Sequence, residues 1–239
     1  MSDGETTGPG GTLAPLVDHT ALVPETTRAD VDRLCREAIR HGFAAVCVNP
    51  CYVARAAREL SGSEVAAATV VGFPLGAHDA TAKVREAGQA LEEGAEELDM
   101  VARIGAVREA RWDVLADEVA AVVEVAGHRA RVKVILETAT LAPREILKAG
   151  RVAAGAGAHY LKTSTGFHPA GGATPEAVAL LRMAAGPDVG VKAAGGVRDH
   201  DDALAMVAAG ASRIGTSRGL DLVGCSRPLP DPLHVFLER

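Results

Sequence analysis

Residues 157–167, GAHYLKTSTGF, and residues 189–198, VGVKAAGGVR, decide the fold class of this chain. Each segment is an apolar run that carries one lysine, Lys162 or Lys192, and then reaches glycine. A segment with helical character, 174–185, separates the two runs. A strand, a helix and a second strand in this order are typical of a parallel sheet with crossover helices.

The same alternation extends outward through the whole chain and predicts eight strands. They are residues 15–20, 44–49, 67–72, 96–101, 131–136, 159–164, 190–195 and 212–217. The predicted helices between them are 27–41, 50–61, 78–93, 105–126, 143–156, 174–185 and 199–209, with a short eighth helix after the last strand. This count favours an α/β fold of the TIM (β/α)8 barrel type over an open doubly wound sheet. Residues 18–24, DHTALVP, also lack the glycines of a dinucleotide-binding turn.

We predict one domain, a barrel over residues 13–223. Residues 1–12 combine Gly, Thr, Pro and acidic residues without periodicity, which predicts a disordered tail. The Pro-rich residues 224–239 form a second tail whose order the sequence leaves open.

Composition restricts the class of partner. The 239 residues are 48% hydrophobic and carry a net charge of −6, with a pI near 5.8, so we expect neither nucleic acid nor a membrane surface as a partner. Four irregularly spaced cysteines and the lack of an N-terminal apolar signal segment predict a reduced, cytoplasmic protein. The histidines form no H-x-H or H-E-x-x-H motif, so we expect no metal.

Lys162 and Lys192 indicate covalent chemistry on a carbonyl. Burial and a second nearby ammonium both lower the pKa of a lysine, and a neutral amine can form a Schiff base. A single strand lysine more often reaches solvent at the strand end, but two in register favour catalysis. Asp99, in ELDMV, can relay protons or can be a buried salt-bridge partner, and both roles stay open. We expect Lys133 to lie lower in the barrel as a charge partner.

Glycine turns after the seventh and eighth strands predict an anion site. Gly195 and Gly196 lie where one strand ends, and Gly215 and Ser217 lie where the next one ends. Free backbone N–H groups at these two turns are where TIM barrels commonly bind phosphate, although tight turns alone can also explain paired glycines.

Seven motifs now make the pattern specific. They occur in order at barrel spacing: VCVNP (46–50), TVVGFPLGA (69–77), ELDMV (97–101), KVILET (133–138), GAHYLKTSTGF, VKAAGGVR and RIGTS (213–217). From Val17 to Ser217 the chain resembles the deoxyribose-phosphate aldolases, a class I aldolase family. The resemblance implies reversible cleavage of 2-deoxy-D-ribose 5-phosphate to acetaldehyde and D-glyceraldehyde 3-phosphate. It also implies a TIM barrel that needs no metal or organic cofactor, and a homo-oligomer, with a dimer favoured.

The resemblance also implies roles for individual residues. Lys162 resembles the Schiff-base nucleophile, Lys192 the second lysine that lowers its pKa, and Asp99 the proton donor and acceptor. The positions expected to contact substrate or its phosphate are Thr163, Gly195, Gly196, Gly215, Ser217 and Arg218.

Three departures from the family pattern stand out. Arg218 replaces the second serine of a common GTSSG turn, and Arg103 stands where an asparagine often precedes IG. The chain ends in FLER without a terminal tyrosine. Two other functions stay open: a phosphate-binding barrel lyase or isomerase that uses carboxylates for acid/base catalysis, and a catalytically silent barrel that serves as a binding or scaffold protein.

Overall fold

Eight parallel strands form a closed barrel in chain order in the computed structural model, which describes residues 12–224. The last strand pairs with the first, with Asp18 opposite Gly215. The prediction of a TIM barrel is therefore confirmed. The strands are β1 Val17–Ala21, β2 Ala45–Val48, β3 Ala66–Val71, β4 Glu97–Val101, β5 Arg131–Ile135, β6 Tyr160–Lys162, β7 Gly190–Ala194 and β8 Arg213–Thr216.

Nine α-helices occur in the described part of the chain, one more than predicted. They are α1 Arg28–His41, α2 Val53–Leu60, α3 Ala80–Glu92, α4 Ile104–Arg108, α5 Trp112–Ala126, α6 Pro143–Gly155, α7 Pro175–Ala185, α8 His200–Ala208 and α9 Gly219–Val223. The single helix predicted over 105–126 is two helices, because Ala110 has a left-handed backbone with φ of 54°. A right-handed helix cannot continue through such a residue.

The helix ends follow local sequence chemistry. Thr27 accepts a hydrogen bond from the N–H of Asp30 at the start of α1, while the Asp30 carboxylate accepts the Thr27 N–H. Gly42, with φ of 66°, ends the same helix. Pro143 is the first residue of α6, where its missing N–H has no intrahelical partner to lose. These signals explain why the predicted helix positions lie within a few residues of the observed ones.

The two faces of the strands differ in polarity. Outward-facing apolar side chains pack against the helices and form most of the hydrophobic core. Charged side chains are nevertheless buried on several strands, including Asp18, Asp99, Lys133 and Lys192, each 0% exposed. A small second apolar cluster around Cys47 lies beside these charges, so the barrel interior is partly ionic and partly apolar. The predicted tails, including the chain end without tyrosine, lie almost entirely outside the described residues.

Candidate active site

The two lysines that stood out in the sequence are direct neighbours in the barrel. Lys162 on β6 is paired in register with Lys192 on β7. Each Nζ lies 2.7 Å from the same oxygen, Oδ2 of Asp99 on β4. All three side chains are buried, with Lys162 the most accessible at 3%. The structure thus brings the three predicted catalytic residues into one contact.

A second set of charged side chains continues this contact through the barrel interior. Lys133 Nζ lies 2.8 Å from Asp99 Oδ1 and 2.6 Å from Glu97 Oε2. Arg213 Nη1 lies 3.0 Å from Glu97 Oε2 and 2.7 Å from Asp18 Oδ1. Lys133 is the charge partner that the sequence predicted, and Asp99 is also the salt-bridge partner proposed as its alternative role.

We call these seven side chains the barrel charge cluster. Its cations are Lys133, Lys162, Lys192 and Arg213, and its anions are Asp18, Glu97 and Asp99. With every group ionised, the cluster has one more cation than anions. Loss of one proton from a lysine would make the whole cluster neutral. Because unbalanced buried charge is costly, the cluster favours that loss.

The surroundings single out Lys162 as the lysine most ready to lose that proton. Burial lowers the pKa of Lys162, the Lys192 ammonium lowers it further, and Asp99 opposes both effects. Burial would also lower the pKa of Lys192, but the nearby Asp18 and Asp99 carboxylates raise it above its usual value. The pKa of Lys162 is therefore lowered, as burial and repulsion predict, whereas for Lys192 the two carboxylates outweigh burial.

Asp99 is held in its ionised form. Burial favours the neutral acid, but the ammonium groups of Lys133, Lys162 and Lys192 outweigh burial and hold the pKa of Asp99 well below its usual range. Lys133 has a pKa well above its usual value, because its carboxylate neighbours outweigh its own burial. Asp99 is thus an ionised hydrogen-bond acceptor shared by Lys162 and Lys192, two lysines that differ in proton affinity.

A cavity of about 400 Å³ opens beside Lys162. Five of the predicted phosphate-contacting residues line it: Gly195, Gly196, Gly215, Ser217 and Arg218. Arg198, exposed four residues after the end of β7, lines it as well. The amine and two exposed arginines therefore share one cavity, which suits a ligand with a carbonyl at one end and an anion at the other.

Glycine is needed at these positions for two different structural reasons: the backbone conformation and the space for a neighbouring side chain. Gly195 and Gly196 have φ of 86° and 85°, a conformation that side chains rarely adopt. A Cβ on Gly195 would lie 3.1 Å from Cα of Gly166, in the turn after β6. A Cβ on Gly215 would lie 2.9 Å from Cε of Lys192, so this glycine makes room for the lysine.

Thr163 differs from the other predicted contacts. Its hydroxyl donates to the carbonyl oxygen of Ala194 and accepts from the Ala194 N–H, both at 3.0 Å, and its side chain is fully buried. Contact between Thr163 and substrate stays a prediction, whereas its hydrogen bonds to Ala194 join the ends of β6 and β7. The neighbouring Thr165 lines the cavity instead.

Sequence reasoning missed Arg198 and Arg213 as members of this region. Arg198 was visible as the cation that ends VKAAGGVR, two residues after the glycine pair. Arg213 gave no such signal, because an arginine at the start of a strand is ordinarily a surface residue. Arg103, a departure from the family pattern, donates its backbone N–H to Glu118 at 2.7 Å and a guanidinium N–H to the His78 carbonyl at 3.4 Å.

Residues 12–224 offer neither a metal-binding cluster nor a membrane-spanning helix. No three or more His, Cys, Asp or Glu side chains in this part of the chain are grouped so that they could hold a metal ion. None of its helices has the length and apolar character needed to cross a membrane.

Comparison with known proteins gives consistent matches. The model of the DeoC/LacD family aldolases matches residues 12–223. A deoxyribose-phosphate aldolase from a Geobacillus species is 50% identical over 211 residues, which cover 88% of this chain and 94% of that protein. Another, from Thermococcus gammatolerans, is 50% identical over 221 residues, which cover 91% of this chain and 98% of that protein. The solved tetrameric deoxyribose phosphate aldolase from Aeropyrum pernix superposes with a TM-score of 0.81 at 35% identity, covering 88% of this chain and 89% of that one.

Proposed function

The chain belongs to the DeoC/LacD family of aldolases, and from this premise we propose that it cleaves 2-deoxy-D-ribose 5-phosphate reversibly to acetaldehyde and D-glyceraldehyde 3-phosphate. The observation that carries the proposal is the amine of Lys162, which has a lowered pKa and stands in a cavity with two glycine turns and two arginines. An imine-forming amine and an anion site at one cavity fit a phosphorylated aldehyde.

In the cleavage direction, we propose that the neutral Lys162 amine attacks the aldehyde carbon of the open-chain sugar phosphate. The resulting carbinolamine loses water and leaves an iminium ion on Nζ. This ion accepts the electron pair of the bond between the second and third carbons as that bond breaks. The hydroxyl of the third carbon gives up its proton and becomes the aldehyde of glyceraldehyde phosphate. The enamine then takes a proton at carbon, and water releases acetaldehyde and the free amine.

Asp99 and Lys192 are suited to the proton transfers in this sequence. The Asp99 carboxylate contacts both lysine Nζ atoms at 2.7 Å and is ionised at rest, so it can take up a proton from Lys162 or from a water molecule during the reaction and return it. Lys192 keeps its proton because its pKa is raised, which makes it the charged neighbour that favours the neutral form of Lys162.

Borohydride trapping with acetaldehyde, followed by peptide mass mapping, tests the imine step. We expect a two-carbon reductive adduct on Lys162 that requires borohydride, and no adduct at this position in Lys162→Ala, which should also lose turnover. Exposed Lys148 provides an internal control for random surface labelling. Random labelling with Lys162 unmodified would contradict the imine mechanism and favour acid/base chemistry or a silent barrel.

The phosphate end of the cavity is tested with Arg218→Ser, which restores the serine common in the family pattern. Because Arg218 is exposed at the cavity rim, we expect this change to raise KM for the phosphorylated sugar several-fold, with little change in kcat. Trapping of acetaldehyde, which has no phosphate, should be unaffected. An equal loss of activity toward the phosphorylated sugar and of acetaldehyde trapping would show that Arg218 does not act on the phosphate.

We further propose that the chain acts in the cytoplasm as a homo-oligomer, with a dimer favoured. The Aeropyrum pernix relative is tetrameric. Light scattering coupled to size exclusion at micromolar concentration distinguishes monomer, dimer and tetramer.

A further inference from the structure

Glu137, two residues after the end of β5, has an unusual backbone conformation. It is one of two non-glycine residues with positive φ in the described chain, at φ 50° and ψ 55°. This left-handed conformation is unfavourable for a residue with a Cβ, and it persists only where the surroundings hold it. The residue is also 4% exposed, so a carboxylate is buried at the barrel mouth.

The Glu137 carboxylate holds one residue of the turn after β6. Its Oε2 accepts the hydroxyl of Thr165 at 2.6 Å, and its Oε1 accepts the Thr165 N–H at 3.2 Å. The Thr165 hydroxyl oxygen in turn accepts the N–H of Phe167 at 3.1 Å. Both donor groups of Thr165 are thus held by a single side chain on the neighbouring strand.

This turn joins the two halves of the cavity. Thr165 lies three residues after Lys162 and lines the cavity beside it, together with Gly166. Gly166 packs so closely on Gly195 that a Cβ on Gly195 would lie 3.1 Å from its Cα. A shift of Thr165 would therefore move residues 162–166, the segment that carries the amine at one end and packs against Gly195 at the other.

We infer that Glu137 is a positioning residue, which fixes the Thr165 turn and through it the placement of Lys162 relative to the anion end of the cavity. The inference rests on the proposed function, since it assigns Glu137 to the same site. Its own carboxylate does not touch Lys162 in the hydrogen-bond network, and it acts through Thr165.

Rates of imine formation provide the test, measured as the time course of the borohydride-trapped adduct of 2-deoxy-D-ribose 5-phosphate on Lys162. This substrate must reach the amine and the anion end of the cavity together, whereas acetaldehyde carries no phosphate and reports on the amine alone. We expect Glu137→Gln to slow trapping on the order of tenfold, because an amide presents an N–H₂ group to one of the two donors. Thr165→Val, which lacks the hydroxyl donor, should slow it similarly. The double variant should lose little more than either single variant, because both remove the same interaction. Thr165→Ser keeps the donor and should retain more of the rate than Thr165→Val.

A matched control separates positioning from general stability. Glu145, in the same β5–α6 unit, accepts the Ala142 N–H with a hydrogen bond of 2.6 Å, and this contact lies away from the cavity. Glu145→Gln should therefore change the melting temperature without changing the trapping rate. The inference would be overturned if folded Glu137→Gln formed the Lys162 adduct as fast as the wild type. It would also be overturned if the losses of rate in the two single variants added up in the double variant. If wild-type protein itself forms no Lys162 adduct, the proposed function fails, and the two failures are distinguishable.

Discussion

Lys162 and Lys192 share one carboxylate oxygen, yet their surroundings move their pKa values in opposite directions. The difference comes from Asp18, which contacts Lys192 and leaves Lys162 with Asp99 alone. One lysine can therefore be neutral while its neighbour stays charged. Asp18 and Lys192 are 174 residues apart, and no local pattern could have predicted that this pair separates the pKa values of the two lysines.

Replacing Lys192 tests this division of roles. Lys192→Leu removes the ammonium that lowers the pKa of Lys162, so the Lys162 pKa should rise. Imine formation needs the neutral amine and is lost as pH falls through that pKa. The acid limb of kcat/KM should therefore move to higher pH, while Lys148→Met, an exposed control, should leave the profile unchanged. An unshifted limb with an intact fold would contradict the proposed effect of Lys192 on Lys162.

At the scale of elements, a second buried ion pair joins two helices to the exit of β4. Lys83 on α3 donates to Glu118 on α5 and to the carbonyl oxygen of Val101, both at 2.8 Å. Glu118 also accepts the Arg103 N–H. Because Lys83 and Glu118 are almost completely buried, each needs the other to balance its charge. The pair therefore secures the strand that carries Asp99.

Lys83→Met should destabilise the protein by about 3–5 kcal/mol, because it leaves the Glu118 carboxylate buried without a cation. Lys83→Met combined with Glu118→Gln removes both charges, keeps an acceptor for Arg103 and should recover much of the loss. Urea unfolding measures both. Arg33→Ala, which breaks an exposed pair with Asp30, is the control and should cost under about 1 kcal/mol. Equal stability of Lys83→Met and wild type would show that the pair contributes nothing net.

For the molecule as a whole, the strand and helix rhythm was sufficient to predict the closed barrel, since each element follows its own periodicity and end signals. The break at Ala110 was not predictable, because alanine favours helix. In the structure the exposed Ala110 ends α4 in a left-handed conformation, and the Arg111 N–H donates back to the Ala106 carbonyl at 2.9 Å. Lys162 and the three predicted glycines of the cavity were found because glycine or lysine interrupts a strand pattern there. Arg213 was missed because its importance depends on contacts with β1 and β4, which exist only after the barrel closes.

Arg213 also tests whether the barrel charge cluster titrates as one unit. With its guanidinium removed in Arg213→Met, the remaining cations and anions are equal in number when all are ionised. The cluster then no longer favours loss of a proton from Lys162. The acid limb of kcat/KM should move to higher pH, by less than in Lys192→Leu because Arg213 contacts Asp18 and Glu97 rather than Asp99.

Arg213→Lys, which keeps the charge, should restore the pH profile even where its shorter reach lowers stability. A profile unchanged in Arg213→Met, alongside a shifted one in Lys192→Leu, would show that only the immediate neighbours of Lys162 set its ionisation. A shift in both, reversed by Arg213→Lys, would show that a charge at the β1–β8 closure influences the amine through the interior of the barrel.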